Sequence, residues 1–191
     1  IINYTAGNPI ISFFGHNEYE SGIFPYTRNS RQFHSPIFRS SLEALQYLSL
    51  ISLKNSWNLI YRPHPTMVAL GHCNESPYAY VSKQNLNHLI DRSDVIVTIL
   101  SQTAYIALIR DKPVVMLGYN QLRGKGCTYE AFNKELIEET IITAIDSGYQ
   151  LLQKQNFILH CTELLETTLY DDMTKKKVKI GRNLSHFSFE K

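Results

Sequence analysis

Four short runs of apolar residues dominate the first two thirds of the chain. They cover residues 9–15, 57–61, 94–100 and 113–117, and each ends at or beside a glycine, a proline-rich turn or a hydroxyl side chain. Because the runs are continuous rather than alternating, they predict strands buried on both faces, as in a parallel sheet. A further short strand is predicted over residues 78–81.

Apolar residues with helical spacing lie between and after these strands. Leu42, Leu45 and Leu48 recur at helical intervals and predict an amphipathic helix over residues 38–54. Residues 16–36 are polar and rich in turn residues, so they carry no predicted element. Other helices are predicted over residues 84–91, 101–110, 135–145 and 150–170.

This order of elements indicates the fold class. Strands that alternate with helices are typical of an α/β domain with a parallel sheet. We therefore predict a Rossmann-like sheet with helices on both faces, followed by a helical C-terminal region. The length of 191 residues suits one domain, predicted over residues 1–172, with a basic tail over residues 173–191.

Charge and cysteine usage narrow the function classes. A formal net charge of +2 is too small to favour nucleic acid as the main partner. The basic tail is compatible with a solvated segment or with a patch that contacts an anionic membrane surface or an acidic polymer. Cys73, Cys127 and Cys161 are odd in number and form no C-x-x-C pair, which favours a reducing, cytoplasmic setting. Adjacent His72 and Cys73 suit metal chelation poorly, so no metal site is predicted.

Small, polar and cationic residues follow four of the predicted strands. In open parallel sheets, ligands bind beyond the carboxyl ends of the strands, so these residues are candidates for one shared site. They are Gly15, His16, Asn17 and Glu18 after the first strand, Arg62 and His64 after the second, Ser101, Gln102 and Thr103 after the fourth, and Gly118, Tyr119, Asn120, Arg123 and Lys125 after the fifth.

Two of these strand exits have a specific chemical rationale. Ser101 is placed as a helix N-cap, and the hydroxyls and unpaired N–H groups of the first turn form an anion site, unless Ser101 merely caps the helix. In Arg62-Pro63-His64-Pro65, each proline holds the preceding residue extended, which aims the arginine and the histidine at a phosphate or sugar hydroxyl. An ordinary turn with an exposed histidine is the alternative.

The first loop offers further candidates with two interpretations. Glu18 and Glu20 have carboxylates for a sugar or base, and Arg28, Arg31 and His34 make the loop basic enough to help hold a diphosphate. A solvated loop explains the same residues. The chain contains neither G-x-G-x-x-G nor a P-loop nor G-x-S-x-G, which argues against dinucleotide enzymes, P-loop kinases and α/β-hydrolases.

The segments PIISFFGHNEYESG (9–22), LIYRPHP (59–65) and SDVIVTILSQTAYIALIRDKPVVMLG (93–118) carry a family resemblance. In order and spacing they resemble the C-terminal half of bacterial capsular polysaccharide biosynthesis proteins, which include retaining β-Kdo transferases. The resemblance implies one half of a GT-B glycosyltransferase that binds a nucleotide-sugar such as CMP-Kdo. It implies that His64 and the turn 101–103 contact the donor's phosphate or ribose. It also implies no dinucleotide cofactor and a glycan or glycolipid acceptor.

The chain departs from the family pattern in three ways. Arg62 stands where many relatives have lysine, and the turn reads Ser-Gln-Thr rather than Ser-Thr. The family's N-terminal acceptor domain, which carries the catalytic carboxylate, is missing, so the acceptor is expected to depend on such a domain or a partner chain. No catalytic residue is assigned. A non-catalytic module that binds a nucleotide or anionic sugar, and a GT-B-like epimerase, are the alternatives.

The resulting site prediction has two parts. The nucleotide and phosphate are assigned to Gly15, His16, Arg62, His64, Ser101, Gln102, Thr103 and Gly118. Possible sugar contacts are assigned to Glu18, Tyr119, Asn120, Arg123 and Lys125.

Overall fold

The computed structural model describes residues 5–71, 79–82, 84–167, 170–171 and 176–177. The adjacent residues His72 and Cys73 lie outside the described residues. Of the strand predicted over residues 78–81, Tyr78 also lies outside them, whereas Ala79 lies within them. Of the predicted basic tail, only Lys176 and Lys177 are described.

One sheet of six strands, all pairing in parallel, forms the centre of the protein. It confirms the prediction of a parallel sheet built on the four apolar runs. The register places Phe13 beside Tyr61 on one neighbour and Val97 on the other. The strands are β1 (Ile10–Phe14), β2 (Asn58–Arg62), β3 (Tyr80–Val81), β4 (Val95–Thr98), β5 (Val114–Met116) and β6 (Tyr129–Glu130).

The strands lie in the order β3-β2-β1-β4-β5-β6. This is the doubly wound order of Rossmann-like domains, in which the chain builds the sheet outward in one direction and then in the other. The reversal falls between β1 and β4, which are hydrogen-bonded neighbours. Loops that leave these two strands turn to opposite faces of the sheet, and a crevice opens between them at the carboxyl edge.

Helices cover both faces of the sheet, as predicted. In β1, Ile11 and Phe13 belong to the core cluster under two of the helices, whereas Phe14 belongs to the cluster on the opposite face. The helices are α1 (Arg28–Phe33), α2 (Ser41–Lys54), α3 (Pro65–Ala69), α4 (Leu86–Arg92), α5 (Thr103–Ile109), α6 (Ile137–Ser147, after a 3-10 turn Lys134–Leu136) and α7 (Leu151–Thr167). Helices α2 and α6 pack on the first face, and α4, α5 and α7 pack on the second.

Burial on both faces explains why the strands are apolar throughout. All four residues of β4 and all three of β5 are buried. A fully buried side chain such as Ile96 contributes about 1.5–3 kcal/mol relative to an exposed one. A polar residue in these strands therefore needs a partner, and the buried Ser12 hydroxyl finds one in Ser93 at 2.6 Å.

Helices α1 and α3 and strand β6 were not predicted from the sequence. Helix α1 is polar and only six residues long, so it has no apolar period, and a capping box between Thr27 and Ser30 starts it. Helix α3 begins at Pro65, which suits a first helical position even though the sequence analysis treated it as a stop. Strand β6 has only two residues, too few for a pattern.

Several predicted boundaries are corrected by the structure. Helix α5 begins at Thr103 rather than at residue 101, because Ser101 still belongs to the turn that leaves β4. Helix α7 ends at Thr167, and Tyr170–Asp171 (β7) instead pairs antiparallel with Lys176–Lys177 (β8). Within the described ranges, no helix is both long enough and apolar enough to span a membrane.

Candidate functional site

A cleft of about 420 Å³ opens at the carboxyl edge of the sheet, at the topological switch point. Its walls come from the exits of three neighbouring strands, β1, β2 and β4. Seven of the eight residues assigned to nucleotide or phosphate binding line it: Gly15, His16, Arg62, His64, Ser101, Gln102 and Thr103. The eighth, Gly118, does not.

Gly15 lets the exits of β1 and β2 approach each other. A Cβ atom at this position would lie 2.9 Å from the hydroxyl oxygen of Tyr61 and 3.2 Å from a carbon of the same ring. The Gly15 N–H also donates to the carbonyl of Arg62 at 2.9 Å. The glycine is therefore explained by the close packing of the Tyr61 ring, which is buried and stacks on Phe13.

His16 is the most deeply buried polar side chain of the cleft wall, with only 4% of the residue exposed. Its Nδ1 lies 3.3 Å from the Ser41 hydroxyl oxygen, whereas its Nε2 has no hydrogen-bond partner. Burial, with a smaller contribution from the charge of His64, lowers the pKa of His16 to about 4. The imidazole is therefore neutral at physiological pH, and one of its two nitrogens is left unsatisfied.

At the end of β2, Arg62 and His64 have the extended conformation that was predicted from the prolines that follow them. His64 is extended (φ −65°, ψ 134°), and its Nδ1 accepts a hydrogen bond from the Thr66 N–H at 3.3 Å, which makes it the N-cap of α3. A neutral imidazole that accepts at Nδ1 carries its hydrogen on Nε2, so His64 offers a donor there. The Arg62 guanidinium donates to the carbonyl of Gln84.

The turn after β4 uses most of its N–H groups internally. The Ser101 N–H donates to Thr98 Oγ1 at 3.1 Å, and the Thr103 N–H donates to Ser101 Oγ at 3.2 Å. The next N–H groups, of Ala104 and Tyr105, donate to the carbonyls of Ser101 and Gln102. The expectation of several unpaired N–H groups here is therefore wrong. The N-cap position itself belongs to Gln102, so the turn can bind a ligand mainly through its side chains.

Hydroxyl groups remain the main polar feature of this turn. Ser101 donates its hydroxyl hydrogen to Thr103 Oγ1 at 2.9 Å, which leaves the Thr103 hydroxyl hydrogen directed elsewhere. Both residues and Gln102 line the cleft. The arrangement suits recognition of a ligand oxygen by hydroxyl and amide groups rather than by a helix N-terminus.

The residues predicted after β5 lie outside this cleft and serve packing. A Cβ atom on Gly118 would lie 2.6 Å from Ile99 Cγ2 and 2.8 Å from the His34 carbonyl oxygen. The Arg123 guanidinium carbon lies 3.6 Å from the centre of the Tyr119 ring. The two remaining residues are also engaged locally: Asn120 Oδ1 accepts the Leu122 N–H at 2.9 Å, and Lys125 forms an ion pair with Glu163 at 3.2 Å.

The first loop divides between the cleft and the scaffold. Asn17, Glu20 and Ser21 line the cleft, whereas Glu18 does not. The Glu18 carboxylate instead accepts the Ser41 N–H at 2.6 Å and so anchors the start of α2. His34 accepts the Tyr119 N–H on its carbonyl at 2.7 Å, and neither it nor Arg28 and Arg31 lines the cleft.

Apolar side chains complete the walls, and these were not predicted. They are Phe14, Leu86, Leu100 and Ile106, from β1, α4, the exit of β4 and α5. Two of these, Leu86 and Ile106, lie on helices, and only the tertiary packing shows that they reach the site. A mostly apolar cleft with a few convergent polar groups is typical of small-molecule sites. Within the described ranges, no group of three or more His, Cys, Asp or Glu side chains is arranged to hold a metal ion.

These observations define the class of protein: a Rossmann-like α/β domain with a cleft at the switch point of its sheet. A family model described as "Capsule polysaccharide biosynthesis protein" matches residues 56–141, from the start of β2 into α6. This match confirms the resemblance stated from the sequence. It includes the exits of β2 and β4 but not that of β1.

Two solved structures match this chain at low similarity. KpsC of Thermosulfurimonas dismutans, described as a β-Kdo 2,7 transferase, is 25% identical with a TM-score of 0.49, over 69% of this chain and 40% of that chain. A second structure from that organism, described as KpsC, β-Kdo 2,4 transferase, is 16% identical with a TM-score of 0.47, again over 69% and 40%. This chain thus spans about 40% of the length of these structures. A search of curated proteins found no match.

Proposed function

We propose that this chain is the donor-binding domain of a glycosyltransferase that uses a nucleotide-activated sugar in the synthesis of a capsular or related polysaccharide. The observation that carries the proposal is the convergence of Arg62, His64 and the Ser101–Thr103 hydroxyls on one cleft at the switch point. The cleft would hold the nucleotide and its phosphate. The family match over residues 56–141 supports the same assignment.

The chemistry of the polar wall favours a phosphate group. Arg62 supplies a fixed positive charge, and within the described part of the chain no carboxylate forms an ion pair with it. His64 adds an N–H donor at Nε2, and the turn after β4 adds hydroxyls. Charged donors bind phosphate oxygens about twice as strongly as neutral donors do, so Arg62 is expected to provide the largest single contribution.

The remaining cleft wall suits the other parts of a nucleotide-sugar. Its volume of about 420 Å³ falls within the range of small-molecule sites. Phe14, Leu86 and Ile106 offer an apolar surface for a base or the face of a sugar ring. The Glu20 carboxylate lines the same cleft and can accept hydrogen bonds from ribose or sugar hydroxyls.

The proposed role in catalysis is stabilisation of the leaving nucleotide. Donors placed around the phosphate stabilise the charge that develops as the glycosidic bond to the donor breaks. Transfer also needs an acceptor held in line with the donor, and in a GT-B arrangement a facing domain provides it. We therefore expect the isolated chain to bind a nucleotide while transferring sugar poorly.

Calorimetric titration with CMP, UDP, GDP and inorganic phosphate tests the proposal. We expect at least one nucleotide to bind, and we expect His64→Ala to weaken it about 10-fold, the effect of removing one hydrogen bond to a charged group. Arg62→Lys should also weaken binding, because lysine keeps the charge but loses the planar fork. The matched control is Arg123→Ala, a cation outside the cleft, which should leave affinity unchanged.

Two results would contradict this function. If none of the nucleotides binds or raises the melting temperature, the cleft is not a donor site. If these 191 residues alone transfer sugar efficiently in an assay with CMP-Kdo, the chain is not a half-enzyme.

A further inference from the structure

His16 has an asymmetric environment that the donor-site assignment does not explain. The residue lines the cleft, yet its two ring nitrogens have different surroundings. Nδ1 lies 3.3 Å from Ser41 Oγ, whereas Nε2 is buried and unpartnered. An unsatisfied nitrogen in a buried side chain destabilises the folded protein, so its retention requires an explanation.

Ser41 is held rigidly against the histidine. It is the first residue of α2 and is 2% exposed. Its main-chain N–H donates to the Glu18 carboxylate at 2.6 Å, and its hydroxyl oxygen accepts the main-chain N–H of His16 at 3.5 Å. With that backbone hydrogen already on the oxygen, the hydroxyl's own hydrogen is free to point at Nδ1.

This arrangement selects one tautomer of the imidazole. A neutral ring that accepts a hydrogen bond at Nδ1 carries its single hydrogen on Nε2. Because burial keeps the pKa of His16 near 4, the ring stays neutral at physiological pH. In that tautomer the Nε2 hydrogen has no acceptor among the residues that the structure describes.

We propose that Ser41 is a positioning residue that holds His16 in its Nε2–H tautomer, and that this N–H donates to an oxygen of the ligand bound in the cleft. The second half of this proposal rests on the proposed function, since it concerns the same ligand. The first half concerns the ligand-free chain and stands independently.

A neutral donor has a physical advantage at this position. His16, His64 and Arg62 line the same cleft, and a second or third full charge there would be costly to keep unpaired before a ligand arrives. An imidazole fixed as a neutral Nε2–H adds a directional donor without that cost. The cleft then offers the His16 imidazole as an uncharged donor beside the Arg62 guanidinium.

His160 provides a matched control elsewhere in the protein. It is also 4% exposed and also has one unpartnered nitrogen, Nδ1. Its Nε2 lies 3.0 Å from the Tyr105 hydroxyl, on the face of the sheet covered by α7, and it does not line the cleft. His160 thus shares the burial and histidine chemistry of His16 but not its position.

The first experiment measures the tautomer without any ligand. Long-range ¹H–¹⁵N correlation spectra of the ¹⁵N-histidine-labelled chain at pH 7 should show His16 with a protonated Nε2 and an unprotonated Nδ1. In Ser41→Ala this preference should be reduced, while the His160 signals stay unchanged. A protonated Nδ1 in the wild type, or the same tautomer ratio in Ser41→Ala, would overturn the positioning role.

The second experiment measures the donor function by titration with CMP and with inorganic phosphate. His16→Ala should weaken binding about fivefold, the size of one neutral hydrogen bond, and His16→Gln should recover most of that loss because its amide keeps an N–H donor. Ser41→Ala should fall between these variants, and His160→Gln should match the wild type. Circular dichroism verifies that each variant is folded.

The outcomes separate the two proposals. Equal affinity of wild type and His16→Ala would overturn the His16 contact while leaving the nucleotide site intact. Binding of no nucleotide by any form would contradict the proposed function and the ligand contact, whereas the tautomer measured in the ligand-free chain would still decide the role of Ser41.

Discussion

The exits of β1 and β2 and the exit of β5 look alike in the sequence but differ in the folded protein. Both regions place a glycine, polar residues and an arginine at or shortly after the end of a buried strand. At the first two exits these groups line an open cleft, whereas after β5 they pack against their neighbours. The difference lies in position, because β1 and β2 lie on one side of the switch point with their exits at the cleft, whereas β5 lies beyond β4 on the other side.

The charged side chains show the same contrast. Among the described residues, five ion pairs lie outside the cleft, and Lys125 after β5 takes part in one of them. Arg123 rests on the Tyr119 ring, which itself packs edge-on against Phe132 at 4.8 Å. Arg62, in contrast, bonds to a main-chain carbonyl. A cation near a strand end is therefore a candidate for ligand binding where it lines the cleft, as Arg62 does, and not where a carboxylate or a ring engages it, as for Lys125 and Arg123.

The largest expected effect is a loss of folding stability at acidic pH that is linked to His16 in the cleft. The His16 pKa is depressed from 6.5 to about 4 in the folded chain, so the unfolded chain takes up this proton first as the pH falls. The stability linked to His16 is present above pH 6.5 and is lost between about 6.5 and 4, by about 3 kcal/mol at most. Urea unfolding at pH 7 and pH 4 should show this loss in the wild type and a smaller one in His16→Gln. An identical pH dependence in both would contradict it.

Replacing the glycines that follow β1 and β5 should distinguish a role in packing from a role in ligand binding. Gly118→Ala should cost about 2–3 kcal/mol of unfolding free energy, because a backbone carbonyl lies 2.8 Å from the new methyl group and cannot easily move. Gly15→Ala should cost about 1 kcal/mol, because the end of the Tyr61 ring can shift slightly. Chemical denaturation measures both losses. Nucleotide affinity should change in Gly15→Ala and remain constant in Gly118→Ala, and the reverse pattern would place the site after β5.

The smallest effect is expected at Arg123. Removing its contact with the Tyr119 ring should cost about 0.5–1 kcal/mol of stability. Thermal denaturation of Arg123→Ala, with Lys54→Ala as an exposed ion-pair control, checks this value. A stability equal to that of the wild type would show that the ring contact contributes nothing measurable.

The fold was largely predictable because strands buried on both faces need continuous apolar residues. The runs that became β1, β2, β4 and β5 have this property, and the helical spacing over residues 38–54 became α2. Helices α1 and α3 lacked such a signal, since one is polar and the other starts at a proline. Strand β6 has only two residues, too few to show a pattern.

The candidate site, like the fold, could be predicted from the sequence only in part. The sequence by itself determined which side chains follow each strand, and chain direction alone brings these to one edge of a parallel sheet. Only the tertiary structure decided that Ser41, far along the chain from the strand exits, contacts His16, and that Leu86 and Ile106 reach the cleft. It also decided that Arg123 and Lys125 find partners. Such contacts depend on how separate elements pack, so the local sequence does not show which neighbour a side chain will contact.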